Sequence, residues 1–290
     1  MLCVKTLRRE TNIIPQMWSI GTQGKLISPI PDSETLPKDE YFFFGILRGS
    51  GDMYKRCQKL GYDFFYADHA YFYNEKFKKM SCFRVTKNNH ANTKIINCNS
   101  DRYEKFKSQE LKQWHSNNGK KILILPPDYY ISLFRNDFSW LSKTVNIIKQ
   151  NSDREILIRE RPLPQNFIDQ LPVKPQKIEN VSYSNNSLEQ DLDDAWCVVV
   201  YNSVVSVQAL IQGIPVFTDT DICSALPLAE KNFSNIEEPL LPDNREQFLN
   251  SLAYSQFTLE EIRSGYAYKT IMDTDNYLEQ PLSKKFHSNE

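Results

Sequence analysis

Apolar positions along the chain fall into short runs, separated by stretches with helical patterning. Tyr41–Leu47 is apolar and aromatic enough for a buried strand. The loop "RGSG" follows, and Asp52–Leu60 reads as a helix that stops at Gly61, a residue suited to a left-handed helix end. Tyr62–Ala67 is a second strand, completing a β-α-β unit of about 30 residues. Downstream, "KKMSCFRVTKNNHANTKIINCNSDRYEKFK" predicts two short strands around a polar turn, then loop or helix. Ser108–Lys120 predicts a helix and a linker.

Beyond that point strands and helices alternate. Strands are predicted at Lys121–Leu125, Glu155–Arg159, Lys177–Tyr183, Trp196–Tyr201 and Pro215–Thr218. Helices are predicted at Asp137–Gln150, Asn166–Gln170, Leu188–Asp194 and Val204–Gln212, with closing helices at Arg245–Ser255 and from Thr258. Such alternation, with β-branched strands, builds a parallel sheet covered on both faces. Both halves therefore read as α/β, with a boundary between 1–118 and 119–290. Leu249, Leu252 and Phe257 in the closing segment read as core.

Composition narrows the class. The 290 residues are 40% hydrophobic and 24% charged, as in a globular protein. No apolar run approaches the roughly 20 residues of a membrane span, and the N-terminus lacks the pattern of a secretory signal, so a cytoplasmic location is expected. Six scattered cysteines offer neither a CxxC pair nor zinc spacing and are expected to be reduced. The net charge of −1 hides an asymmetry: residues 1–121 carry 21 Lys+Arg against 12 Asp+Glu, a balance of +9, and the remainder is correspondingly acidic.

Chemistry concentrates where strands end. Trp196–Tyr201 is apolar throughout, and the polar break Asn202-Ser203 then stands at a strand's carboxyl end, before the helix from Val204. Open α/β sheets bind ligands in that place, and a helix amino end favours phosphate; Ser203 is equally suited to capping the helix. Arg159 and Arg161 end another strand and offer planar forks for phosphate oxygens. Asp68 and His69 end the second strand of the first half. Either could take a proton from a hydroxyl, although neighbours in an extended segment point to opposite sides. The loop before the first helix brings Arg48, Gly49 and Gly51 as candidate cleft contacts, but Tyr54 breaks the dinucleotide-binding glycine pattern. Asp219–Asp221 and Asp191–Asp193 have DxD spacing, yet their placement does not suit a metal site, and none is expected.

Three of these stretches carry a family resemblance. "QALIQGIPVFTD" resembles the nucleotide-sugar half of the GT-B glycosyltransferases, where E-A-x-x-x-G-x-P-V closes the donor site. Gln208-Ala209, Gly213, Pro215 and Val216 fall on that pattern, with Gln208 where the family usually has Glu. "REILIRERPLP" is similar to the strand and K-P-H-P segment of capsule-polysaccharide glycosyltransferases of the Kdo-transferase type, with Arg161 where that family carries His. "LGYDFFYADHAYF" resembles the segment of those enzymes that holds the catalytic carboxylate, and Asp68 matches it.

The resemblance implies two Rossmann-like domains facing across a cleft, the N-terminal one smaller. It implies Asp68 as the catalytic carboxylate, with adjacent His69 as the second candidate. Arg159, Arg161, Asn202, Ser203, Val204 and Gln208 would hold a nucleotide-sugar co-substrate, with no further cofactor and no metal. The basic, aromatic first half suits a polyanionic acceptor, so a hydroxymethylated base in DNA, as in phage-type DNA modification, is the leading expectation. A glycan or lipid-linked saccharide is the alternative acceptor. A non-catalytic nucleotide-sugar or nucleic-acid binding module, motivated by Gln208, and a nucleotide-sugar 2-epimerase stand behind these.

Overall fold

The structure, a computed structural model, describes residues 1–161, 163, 168, 171 and 177–274. The chain divides into two compact units. The first opens with β1 (Leu2–Val4), α1 (Ile13–Thr22) and β2 (Lys25–Ile27). None of the three was predicted; the two strands, three residues each, are too short to show a period. Then come β3 (Tyr41–Phe44), α2 (Gly51–Leu60), β4 (Phe64–His69), β5 (Cys82–Lys87) and α3 (Asp101–Phe106). The β3-α2-β4 unit is the one predicted. The second strand expected after β5 does not form: Asn88 turns the chain at φ +59, and Ile96 N–H is taken by the Ser251 hydroxyl at 3.0 Å.

The predicted helix at 108–120 is also absent. That stretch runs without regular structure, tied by Lys112 N–H to Ile211 C=O and by His115 N–H to Gly213 C=O, both at 2.8 Å. The second unit, Glu110–Arg245, holds β6 (Lys121–Leu125), α4 (Tyr129–Arg135), α5 (Trp140–Asn151), β7 (Ile156–Ile158), β8 (Ser182–Tyr183), α6 (Leu188–Asp193), β9 (Ala195–Val200), α7 (Val205–Ile211) and β10 (Val216–Phe217). Its sheet runs β8-β7-β6-β9-β10 and is parallel throughout. Counted within the unit this is the order 3-2-1-4-5 of doubly wound dinucleotide-binding sheets, with the reversal between β6 and β9. The strand expected at Lys177–Tyr183 shortens to β8, and the helix expected at Asn166–Gln170 lies, Ile168 apart, outside the described residues.

After Arg245 the chain returns to the first unit with α8 (Arg245–Ala253), β11 (Gln256–Thr258), α9 (Leu259–Arg263) and α10 (Tyr266–Thr274). The sequence grouped this closing segment with the second half; by contact its described residues 246–274 belong to the first. β11 adds antiparallel to β5, pairing Phe257 with Phe83, and completes a six-stranded sheet in the order β11-β5-β4-β3-β1-β2. One face of that sheet packs Phe42, Phe44, Phe65, Phe83 and Val85 against Trp18, Ile262 and Ile271 from the helices; Trp18 stacks on Phe42 with ring centroids 4.6 Å apart. Leu249, Leu252 and Phe257 are fully buried. All six cysteines are free, five of them buried. Among the described residues no helix is long and apolar enough to cross a membrane.

Candidate functional site

In the first unit β1, β2, β3 and β4 are mutually parallel, so their carboxyl ends share one edge of the sheet. The strand order reverses between β1 and β3, and the loops leaving these two strands are joined by Leu7 N–H donating to Arg48 C=O at 2.9 Å. Gly45 turns the chain out of β3 at φ +65, and a Cβ there would fall 1.5 Å from Arg48 Nη1. The bare glycine leaves room for the guanidinium, which lies over the Phe44 ring at 4.4 Å. Gly49, at φ +91, follows in the same turn, and Gly51 opens α2.

Asp68 and His69 end β4 beside Arg48. The antiparallel register sets Arg84 of β5 opposite Asp68. Arg48 Nη1 lies 3.8 Å from Asp68 Oδ1, and Arg84 Nη2 3.6 Å from Oδ2. Oδ2 also accepts from the Tyr66 hydroxyl, and Oδ1 from His69 N–H, both at 2.8 Å. Behind Tyr66 stands buried His90, its Nε2 3.1 Å from the same hydroxyl. Burial alone would raise the Asp68 pKa; Arg84 above all, then Arg48, His90 and His69, overcome this and hold it well below the usual carboxylate range. His69 is pushed the other way from a ready cation. Burial lowers its pKa, Arg48 and Lys79 add to that, and Asp68 only partly opposes them. Its Nε2 faces Arg48 Nη2 at 3.4 Å, and its buried Nδ1 has no hydrogen-bond partner among the described residues.

In the second unit the carboxyl edge gathers the ends of β6, β7, β9 and β10. Arg159 follows β7 and is the more committed of the two arginines. Its Nη1 donates to Asp191 Oδ2 at 2.7 Å and to Asn186 C=O at 2.8 Å. Arg161 is 80% exposed and stands 3.8 Å from Asp128, the residue that caps α4. After β9, Asn202, Ser203 and Val204 are half-buried, and Gln208 lies one turn into α7. Val204, not Ser203, occupies the cap position of α7; the Ser203 hydroxyl instead accepts from Val205 N–H at 3.2 Å. The Gly-x-Pro turn has a structural cause. Gly213 sits at φ +76, with a would-be Cβ 1.9 Å from Gln113 C=O, so the glycine serves a close backbone crossing. The carboxylates of the DTD stretch are engaged by the protein, Asp219 with Trp140 Nε1 at 2.8 Å and Asp221 with Arg135 at 2.7 Å. No cluster of three or more His, Cys, Asp or Glu able to hold a metal ion occurs among the described residues.

Arg48, Asp68 and His69 thus meet in one cluster, with Gly49 and Gly51 in the adjoining turn. Arg159, Arg161, Asn202, Ser203 and Val204 share the second sheet's carboxyl edge, but among the described residues no hydrogen bond joins the arginines to the post-β9 segment. Residues that the sequence patterns did not single out complete the first place, Arg84, Tyr66 and His90 around Asp68; behind Arg159 stands Asp191, singled out only for its DxD spacing. A charge inside the apolar run "CFRVTK" is the signal that marks Arg84.

No family model matches the chain, and no curated protein matches it. Among solved structures it is similar to KpsC of Thermosulfurimonas dismutans, a beta Kdo 2,4 transferase, at 9% identity over 88% of this chain and 91% of that chain, with a TM-score of 0.46. It is also similar to the beta Kdo 2,7 transferase of the same KpsC, at 10% identity over 92% of this chain and 99% of that chain, with a TM-score of 0.42.

Proposed function

We propose that the chain is a metal-independent glycosyltransferase that moves a sugar from a nucleotide-sugar donor to a hydroxyl acceptor. The observation that carries this reading is the second unit's parallel sheet. Its strand order reverses between β6 and β9, and that carboxyl edge collects Asn202, Ser203 and an anchored arginine, Arg159. Doubly wound sheets take nucleotides there. In the reaction the acceptor hydroxyl loses its proton to a base, its oxygen bonds to the anomeric carbon, and the bond from that carbon to the nucleotide's phosphate oxygen breaks. The departing phosphate oxygens are met by N–H groups of Arg159 and Arg161.

His69 is the better proton acceptor of its pair. Both Asp68 oxygens already accept hydrogen bonds and face guanidinium groups, and the carboxylate's proton affinity is low. A guanidinium has no acceptor, so Arg48 facing Nε2 leaves the lone pair of neutral His69 on that nitrogen, 3.4 Å away, and the ring proton on buried Nδ1. Asp68 then orients the site and offsets Arg48 and Arg84.

A hydroxymethylated DNA base is the narrower reading of the acceptor, and its support weakens once charge is counted by unit. Residues 1–109 with 246–274 carry 20 Lys+Arg against 15 Asp+Glu, a balance of +5 rather than the +9 of the N-terminal stretch. A saccharide hydroxyl is the reading we favour. The test is mass spectrometry of saccharide acceptors, and separately of hydroxymethylated DNA, after incubation with a panel of nucleotide sugars. A mass gain of one sugar on the saccharide, lost in His69→Gln, is expected. Failure to modify any acceptor or to hydrolyse any nucleotide sugar sinks the proposal and leaves a binding module.

A further inference from the structure

Asp191 stands out from the rest of the second unit. Its side chain is 0% exposed, yet it is a carboxylate. Burying an unpaired carboxylate is strongly unfavourable, and even a paired one contributes little to stability compared with apolar packing. Its partners are specific. Oδ2 accepts from Arg159 Nη1 at 2.7 Å and from the Ser184 hydroxyl at 2.6 Å, and Oδ1 accepts from the Asn186 amide at 3.2 Å. Ser187 caps the helix that carries Asp191 through a reciprocal box with Gln190, which fixes that helix against the β8 end.

The guanidinium of Arg159 is consequently held by one corner. Among the described residues, Nη1 makes every hydrogen bond that Arg159 forms to side chains and to Asn186 C=O, and Nε and Nη2 make none at the carboxyl end of β7. β7 neighbours β6, one strand from the reversal. A planar fork clamped at one nitrogen presents its other N–H groups in a fixed direction, which suits bidentate recognition of phosphate oxygens.

We propose that Asp191 is the positioning residue for the donor site: it acts through Arg159, aiming that arginine's free N–H groups at a phosphate of the nucleotide. The proposal rests on the donor-site reading above and adds to it the residue that sets the arginine's geometry. Pairing cancels the net charge of the couple, so the contact works by directed hydrogen bonds.

The test is calorimetric binding of inorganic pyrophosphate and of a panel of nucleoside mono- and diphosphates to the full chain. Four proteins are compared: wild type, Asp191→Asn, Arg159→Ala and the double variant. The expected result is about tenfold weaker binding in Arg159→Ala and about three- to tenfold in Asp191→Asn, with no further loss when Asp191→Asn is added to Arg159→Ala. A merely structural role for Asp191 predicts a second loss in the double variant, and that outcome, or unchanged binding in Asp191→Asn, overturns the proposal while leaving sugar transfer standing. Should wild type bind none of these ligands, the donor-site reading and this proposal fall together. If Asp191→Asn does not fold, Arg159→Lys replaces it. The ammonium still neutralises Asp191 but lacks the fork, so about fivefold weaker binding is expected and wild-type binding refutes the assignment.

Discussion

At the scale of single residues, Asp68 and His69 are neighbours whose surroundings shift them differently: cationic partners favour the Asp68 carboxylate and burial favours neutral His69. Asp68 neutralises Arg84, a buried guanidinium whose Nε has no hydrogen-bond partner. Removing one partner of a buried pair strands the other charge, at a cost of about 3–5 kcal/mol. Asp68→Ala should therefore lose activity together with stability, seen as an earlier urea midpoint, and on its own it cannot report on proton transfer. His69→Gln should change stability by less than about 1 kcal/mol while lowering the transfer rate by about 10²–10⁴. A His69→Gln enzyme that keeps its rate removes the imidazole from the mechanism. The pH dependence has a definite sign. The His69 pKa is lowered in the folded protein, so the basic form persists below the ordinary histidine range. The rate should stay level from neutral pH down through that range and fall only below it. An acid limb at or above the ordinary histidine value would point to another base.

At the scale of elements, α9 shows how one side chain ties together pieces far apart in sequence. Glu261 closes a reciprocal capping box with Thr258, its carboxylate accepting from Thr258 N–H at 2.8 Å. It also takes both terminal nitrogens of Arg102 at 3.1 and 3.2 Å and Lys105 Nζ at 2.7 Å. Burial would raise its pKa, but the Arg102 and Lys105 hydrogen bonds outweigh that and bring it to about 2 from an ordinary 4.5. A depressed carboxyl pKa stabilises the fold above its unfolded value, and that contribution disappears as pH falls through the folded value. Melting temperature should thus decline between about pH 4.5 and 2, less steeply in Glu261→Gln; equal slopes would contradict the linkage. Much of this layer was legible in the sequence. The β3-α2-β4 unit and the strands β6, β7 and β9 follow from runs of apolar residues, and the candidate residues stand at the strand ends where the polar breaks fall. What was hidden had no periodic signature. β1, β2 and β11 are three residues long, and Arg84 meets Asp68 only through a strand register set by long-range pairing. Asp191 is an acidic residue in an acidic helix, where only the neighbouring Leu192 is also buried, and nothing in that pattern says that a carboxylate is buried there.

At the scale of the whole molecule, the two units differ in how the chain builds them. Among the described residues the second is one stretch of chain between Glu110 and Arg245, and its five strands pair only with each other. The first is assembled from both sides of that insertion. β11 supplies the outer strand beside β5, and Phe257, Ile262 and Ile271 fill the same core as Trp18 and Phe42. Arg102 reaches across to the closing segment, donating from Nε to Ala253 C=O at 3.1 Å, and lies 4.9 Å from the Phe257 ring centroid. A chain ended after Arg245 keeps every residue of Asp68, His69, Arg48 and Arg84 but loses the strand and helices that cover their sheet. The exposed edge of β5 and an open aromatic face would then invite association between chains. We expect the 1–245 fragment to lose protease resistance within residues 1–109, whereas a 110–245 fragment should still unfold cooperatively and bind whatever nucleotide the full chain binds. If the 1–245 fragment instead keeps a protected first unit, the closing segment is dispensable and the sheet is held by β1–β5 alone. The comparison also separates the two halves of the proposed reaction. Nucleotide binding surviving in 110–245 without sugar transfer would assign the donor site to the second sheet and the need for a base to the first.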